Sequence, residues 1–152
     1  HKKKLDLSLG RTFNLLKKLG NPQDKLTNVI TVVGTNAKAS MCYSLKSILN
    51  QGGYKTNLYT SPHLLSYTER YVFEDKEINE EDLIVLLTDV EKTLGDDNAT
   101  LFEILTCAFL KYAENFKDNI NIIGIIYSEN LPLQSAKVNI TINEFKNIIN
   151  KQ

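Results

Sequence analysis

The sequence predicts an α/β domain, a mostly parallel β-sheet with helices on both faces. Three observations carry this expectation. Strand-like and helix-like segments alternate along most of the chain. A β-branched run, Val29-Ile30-Thr31-Val32-Val33, stops at Gly34 and is followed by Lys38 and a new helical pattern. A length of 152 residues suits one domain and buries enough surface to need no disulfide or metal staple.

The elements follow in order. Leu5, Leu9, Phe13, Leu16 and Leu19 recur at helical spacing, and Gly20-Asn21-Pro22 stops that helix. Val29 to Val33 reads as a buried, central strand. Met41, Leu45, Ile48 and Leu49 mark one face of a second helix, closed by Gly52-Gly53. Thr56 to Thr60 is a second strand, broken by Ser61-Pro62, and Tyr71-Val72-Phe73 is a short one. Asn79 caps a helix carrying Leu83, Leu86, Leu87, Val90 and Leu94, with Glu80, Glu81 and Asp82 in its first turn. After the loop Asp96-Asp97-Asn98, Thr100 opens a helix with Leu101, Leu105, Ala108, Phe109, Tyr112 and Phe116 inward. Ile120 to Tyr127 is the third strong strand, and Thr141 to Glu144 resembles a capping box.

Composition excludes several classes. Eighteen basic residues balance eighteen acidic ones, so there is no general attraction to nucleic acid or anionic membrane. Cys42 and Cys107 lie far apart in apolar helical patterns, as small core residues do. No apolar run reaches the ~18 residues of a membrane span, and Lys2-Lys3-Lys4 precedes an amphipathic stretch rather than a signal sequence. A soluble, cytoplasmic chain is expected. It opens on His1 rather than Met, which suggests a cropped or processed start.

A strand, a glycine-bearing loop with a lysine, and a helix form an anion site by geometry. N–H groups at the helix start point outward, and the helix dipole adds partial positive charge. In Gly34-Thr35-Asn36-Ala37-Lys38-Ala39-Ser40, Lys38 would reach terminal phosphates and the Ser40 hydroxyl a magnesium ion. The strict pattern G-x-x-x-x-G-K-[ST] is not met, because Ala37 stands where glycine precedes the lysine. On these residues alone, an ordinary strand-to-helix turn reads equally well.

Four motifs in order narrow the choice. Val33 to Ser40 resembles the A-G-T-N-G-K-G-S loop of the folylpolyglutamate synthase and dihydrofolate synthase family, ATP-dependent ligases related to the Mur ligases. Tyr59-Thr60-Ser61-Pro62-His63-Leu64-Leu65-Ser66-Tyr67-Thr68-Glu69-Arg70 resembles the family's Y-T-S-P-H-L-x-x-x-x-E-R. Thr100-Leu101-Phe102-Glu103-Ile104-Leu105-Thr106 resembles T-x-F-E-x-x-T, and Asp6 to Arg11 is similar to D-L-G-L-x-R.

The resemblance implies a P-loop-type, Mur-ligase-central-domain-like fold that binds ATP and Mg²⁺ and adds glutamate to folate or dihydropteroate. It implies nucleotide contacts at Gly34, Thr35, Asn36, Ala37, Lys38, Ala39 and Ser40, and metal contacts at Ser40 and Ser61. It implies substrate contacts at Leu7, Ser8, Leu9, Pro62, His63, Leu64, Thr100, Leu101, Phe102 and Glu103. Each has a plainer reading: Ser61-Pro62 as turn chemistry, His63 as a surface histidine, Phe102 as core, Glu103 as a dipole partner. Arg70 has the plainer reading of a surface ion pair with Glu69 or Glu74.

The sequence departs from the family pattern in three places. Ala37 and Ala39 replace loop glycines. The family's metal-binding strand glutamate, counted without gaps from Glu103, falls on Gly124, and Glu129 is off register. The later metal ligand, the active-site lysine and the second domain have no counterpart. Residues 1–127 are therefore expected to be an incomplete ATP-binding domain and 128–152 a divergent tail. The expected activity is weak or absent, with a separate chain as one source of the missing half. The alternative is a non-catalytic remnant that binds nucleotide, pteridine or a partner chain.

Overall fold

The computed structural model describes residues 10–34, 36–116 and 118–125. The expected elements at Leu7 to Leu9, at Tyr127 and at Thr141 to Glu144 lie outside them, as does Thr35. Helix α1 spans Gly10–Lys18, strand β1 Val29–Val33, α2 Lys38–Gln51 and β2 Thr56–Thr60. A hairpin, β3 Tyr71–Phe73 and β4 Lys76–Glu77, precedes α3 Glu80–Leu94, α4 Leu101–Ala113 and β5 Ile120–Ile125.

The five strands form one sheet in the order β1-β5-β2-β3-β4. The first three are parallel, and β3 and β4 add to β2 in antiparallel fashion. Among the described residues β1 therefore lies at an edge, and β5, not β1, is the central parallel strand. The exposure of β1 agrees: Val29 is buried while Thr31 and Val33 are exposed. The sequence shows the β-branched run but not its neighbours, since β5 joins the sheet from more than 80 residues away.

Strand alternation splits the core in two. On one face Leu58, Val72, Ile120 and Ile122 meet Cys42 and Leu49 of α2. On the other, Tyr59, Tyr71, Phe73, Ile123 and Ile125 meet Leu15, Leu16, Leu86, Val90, Leu105 and Phe109 of α1, α3 and α4. Both cysteines are free and buried, as expected of small core residues. Phe13, Met41 and Leu101, assigned to inward faces by spacing, are exposed. Thr12 and Cys42, neighbours of the first two, are buried instead, and Leu105, also assigned inward, is buried as expected. No helix among the described residues is long and apolar enough to cross a membrane.

A buried polar ladder crosses the central strands. Asn57 donates to Asn121 Oδ1 at 2.9 Å, and Asn119 donates to Asn57 Oδ1 at 3.1 Å. With their amides satisfied, these side chains fix strand register without the penalty of an unpaired buried dipole.

Candidate functional site

Two loops leave the carboxyl ends of the parallel strands β1 and β2, where open α/β sheets bind ligands. The first, Gly34 to Ala37, enters α2. Ala37 sits at φ 60°, ψ 8°, in the left-handed region, and is the residue preceding the helix. No side chain caps this N-terminus and its first turn carries no acid. Helices α3 and α4 differ, with caps from Asn79 and Thr100. Lys38 is the first helical residue, and Ser40 is exposed in the first turn. Their amides face outward with the positive end of the helix dipole, so the arrangement suits an anion.

The left-handed Ala37 explains how the loop keeps its shape without the family's glycine. The conformation strains a residue with a Cβ by roughly 1–2 kcal/mol. Ala37→Gly removes the strain but loosens the unfolded chain by about 0.4–1 kcal/mol. The expected result in a thermal melt is a rise of about 2–3 °C, since ~1 kcal/mol moves a domain of this size by that much. A lowered melting temperature would contradict the strained loop.

The second loop is braced from within. The carboxylate of Glu69 accepts N–H bonds from Leu64 at 2.8 Å, Leu65 at 2.8 Å and Ser66 at 2.9 Å. Those three bonds, that from Leu64 foremost, hold its carboxyl below the usual range. Ser66 caps the 3₁₀ turn Tyr67–Arg70 that follows. Arg70 is only 8 % exposed. Its Nε donates to His63 Nδ1 at 2.8 Å and its Nη1 to Ser61 Oγ at 3.1 Å. Its guanidinium carbon lies 5.5 Å from the Tyr67 ring centre, and the His63 ring lies 4.3 Å from the same ring. The surface ion pair with Glu69 or Glu74 is therefore not formed: Glu69 holds backbone, and Glu74 pairs with Lys55. Sequence reasoning missed this buried arginine, because adjacent Glu and Arg look like a solvated pair. The usable signal was the serine and histidine upstream, within reach of a turn.

Gly124 lies between the two loops. It pairs with Val32 on one side and Thr60 on the other, and its carbonyl accepts the Ser61 amide at 3.1 Å. A Cβ at Gly124 would stand 2.5 Å from Cys42 Sγ. The phosphate-type loop's helix and the Ser61 loop thus meet across one strand position. Burial pushes the Cys42 thiol up to about 11, and the charge of Lys38 pulls the other way. Gly124→Ala is expected to destabilise the chain by about 1–3 kcal/mol through overpacking. In a Cys42→Ala background the loss should shrink markedly, because the two sites couple by contact. Equal losses in both backgrounds, measured by urea denaturation, would disprove the contact.

Glu103 is held differently from the other candidates. It completes a capping box with Thr100, accepting the Thr100 amide at 2.5 Å. It also takes Arg11 Nη2 at 3.3 Å, tying α4 to α1. Burial pushes its carboxyl up, but the Thr100 and Arg11 bonds outweigh that and leave it low. Lys38, Ser40 and Ser61 thus lie on segments that leave the carboxyl ends of the parallel strands β1 and β2, while Glu103 is engaged with Arg11. Leu64, Leu101 and Phe102 are exposed, at 90, 57 and 39 %.

Among the described residues, the groups near Ser40 and Ser61 do not by themselves fit a bound Mg²⁺. Such an ion is usually held through one or two carboxylates besides water and phosphate. Here position 124 offers none, and the Ser61 oxygen already accepts from a guanidinium. Among the described residues no group of three His, Cys, Asp or Glu is arranged to hold a metal.

A phosphate-type loop at a parallel strand end, facing a second loop across Gly124, defines an α/β domain of the Mur-ligase-like kind. Over the matched residues the chain is homologous to dihydrofolate synthases/folylpolyglutamate synthases. It is 38 % identical over 110 residues to the bifunctional enzyme of Escherichia coli, and 36 % identical over 110 residues to the dihydrofolate synthetase of Saccharomyces cerevisiae. These matches cover 72 % and 71 % of this chain but 26 % of each relative, so the chain spans about a quarter of their length. E. coli FolC in complex with DHPP and ADP superposes with TM-score 0.72 at 35 % identity, over 81 % of this chain and 30 % of that one. The Yersinia pestis bifunctional enzyme complexed with AMPPNP and Mn ion gives 0.74 at 29 %, over 85 % and 31 %. No family model matches the chain.

Proposed function

We propose that residues 10–125 form the ATP-binding part of a cytoplasmic ligase that adds glutamate to folate or dihydropteroate. The observation that carries this is the uncapped start of α2, with Lys38 as its first residue, at the carboxyl end of β1. The N–H groups of Lys38, Ala39 and Ser40 would donate to phosphate oxygens, and the Lys38 ammonium would neutralise their charge. ATP supplies the phosphoryl group. A substrate carboxylate oxygen bonds to the γ-phosphorus and ADP leaves. The glutamate amine then bonds to the acyl carbon, phosphate leaves, and the amine gives up a proton. The protein's part is positioning and charge neutralisation. Leu64, Leu101 and Phe102 are exposed, and with Pro62, His63 and Thr100 they would border a flat aromatic substrate.

A second reading, binding without turnover, is favoured by Gly124. Losing one charge-stabilising group at a reacting centre lowers rates by about 10²–10³. We therefore propose that this 152-residue polypeptide binds ATP but ligates glutamate weakly or not at all by itself. Two measurements test this on the purified chain. Millimolar ATP should raise its melting temperature, as any ligand of the native state does. Glutamate-dependent ADP release with dihydropteroate or tetrahydrofolate should stay at the no-enzyme blank. ADP release above the blank would refute the loss of activity, and no thermal shift would remove the nucleotide site.

A further inference from the structure

We propose that β1 is a docking edge for a second copy of this chain, strand against strand, about a two-fold axis at Thr31. Among the described residues the sheet has two edges, and they are built differently. The edge at β4 is two residues long, Lys76 and Glu77, both charged and exposed. Short, charged edges resist pairing with other chains. The edge at β1, Val29–Val33, is five residues long, with no charge, no proline and no bulge in its register with β5. Every one of its side chains is β-branched, a composition enriched in paired strands.

The backbone fixes which groups this edge offers. The Asn121 amide of β5 donates to the Asn28 carbonyl at 2.7 Å. Successive residues of a strand aim their N–H and C=O groups to opposite sides, so Ile30 and Val32 also turn toward β5. Val29, Thr31 and Val33 aim theirs away from it, where the sheet has no further strand among the described residues. Side chains alternate as well. Ile30 and Val32 lie partly buried against the core under α2, while Thr31 and Val33 are exposed on the opposite face.

An edge of this pattern fits itself. Read backwards, Val-Ile-Thr-Val-Val becomes Val-Val-Thr-Ile-Val. Antiparallel pairing centred on Thr31 sets Val29 opposite Val33 of the second copy, and Thr31 opposite its own counterpart. These are the outward-facing residues, so each such pair exchanges two backbone bonds. On the face that carries α2, Ile30 meets Val32 of the second copy, and two branched apolar side chains make a favourable cross-strand pair. The same patch serves both copies, as a closed two-fold dimer requires. The inference is independent of nucleotide binding at α2.

The test is sedimentation of the full 152-residue chain over a wide concentration range. The mass should rise with concentration from 17.2 kDa toward twice that value. Amide hydrogen exchange at Val29, Thr31 and Val33 should slow in step. Thr31→Lys sets like charges opposite each other at the axis and should weaken the dimer about fivefold or more, and Thr31→Glu should do the same. Thr31 is exposed, so neither variant disturbs the core. An equimolar mixture of the two should regain association, because Lys then faces Glu. That rescue requires pairing at the axis itself, so a variant that is merely misfolded does not produce it. The proposal is overturned if the parent stays monomeric at every concentration, if both variants dimerise like the parent, or if the mixture associates no better than either variant alone. Slow exchange at the three amides in a monomeric chain would show that the chain covers its own edge, and would overturn it too.

Discussion

Phe109→Ala is expected to lower the unfolding free energy by about 3–5 kcal/mol, the usual effect of emptying a large aromatic site. Phe109 is fully buried on α4. Its ring centre lies 5.1 Å from Tyr59, 5.5 Å from Phe73 and 6.3 Å from Tyr71. The vacated space cannot close easily, because both tyrosines are tethered at their far ends. The Tyr71 hydroxyl donates to the Leu105 carbonyl at 2.8 Å, and the Tyr59 hydroxyl meets Thr106 Oγ1 at 3.4 Å. A loss of that size is about a fifth or more of a typical domain's 5–15 kcal/mol. Urea denaturation checks it, with Phe109→Leu expected to lose less. A loss below ~1 kcal/mol for the alanine variant would show that this aromatic cluster does not hold α4 to the sheet.

Much of this fold is legible in the sequence, for local reasons. Val29–Val33, Thr56–Thr60 and Tyr71–Phe73 are strands with the expected bounds, because β-branched and aromatic runs end at Gly34, Pro62 and the Glu74-Asp75 turn. Asn79 and Thr100 cap the helices that their sequence places after them. Sheet order is not legible, because the pairing of β5 with both β1 and β2 is non-local. A single exposed face is also poorly legible on a short helix: Met41 and Cys42 are neighbours, and only packing against Leu58 and Ile122 decides which turns in.

The site divides in the same way. The phosphate-type loop shows in the order strand, glycine, lysine, helix, and the strain at Ala37 follows from a missing glycine. The Ser61 loop shows as a motif, but its chemistry does not. Whether Arg70 faces solvent or Ser61 depends on the turn at Tyr67–Arg70 and on Glu69 taking three amides. Glu103 reads as a substrate contact by resemblance, while its hydrogen bonds go to Thr100 and Arg11, 92 residues away in sequence in the second case.

Lys38→Ala is expected to weaken nucleotide binding by about 10- to 100-fold, the equivalent of one lost charged hydrogen bond of ~1.5–3 kcal/mol. The side chain is the one cation placed by the first turn of α2, so no other residue of that turn replaces its charge. The fold should be unaffected. Lys38 is half-buried at the helix start and belongs to neither core.

The most direct test of the nucleotide site is an amide-resolved NMR titration of the parent chain and of Lys38→Ala with ADP. In the parent, the amides from Ala37 to Met41 should shift together and saturate at millimolar ADP or below. In Lys38→Ala the same amides should need at least about tenfold more ADP, as loss of a charged contact requires. Saturable shifts elsewhere with none at Ala37 to Met41, or no shifts at millimolar ADP in both the parent and Ala37→Gly, would contradict a phosphate site at the start of α2.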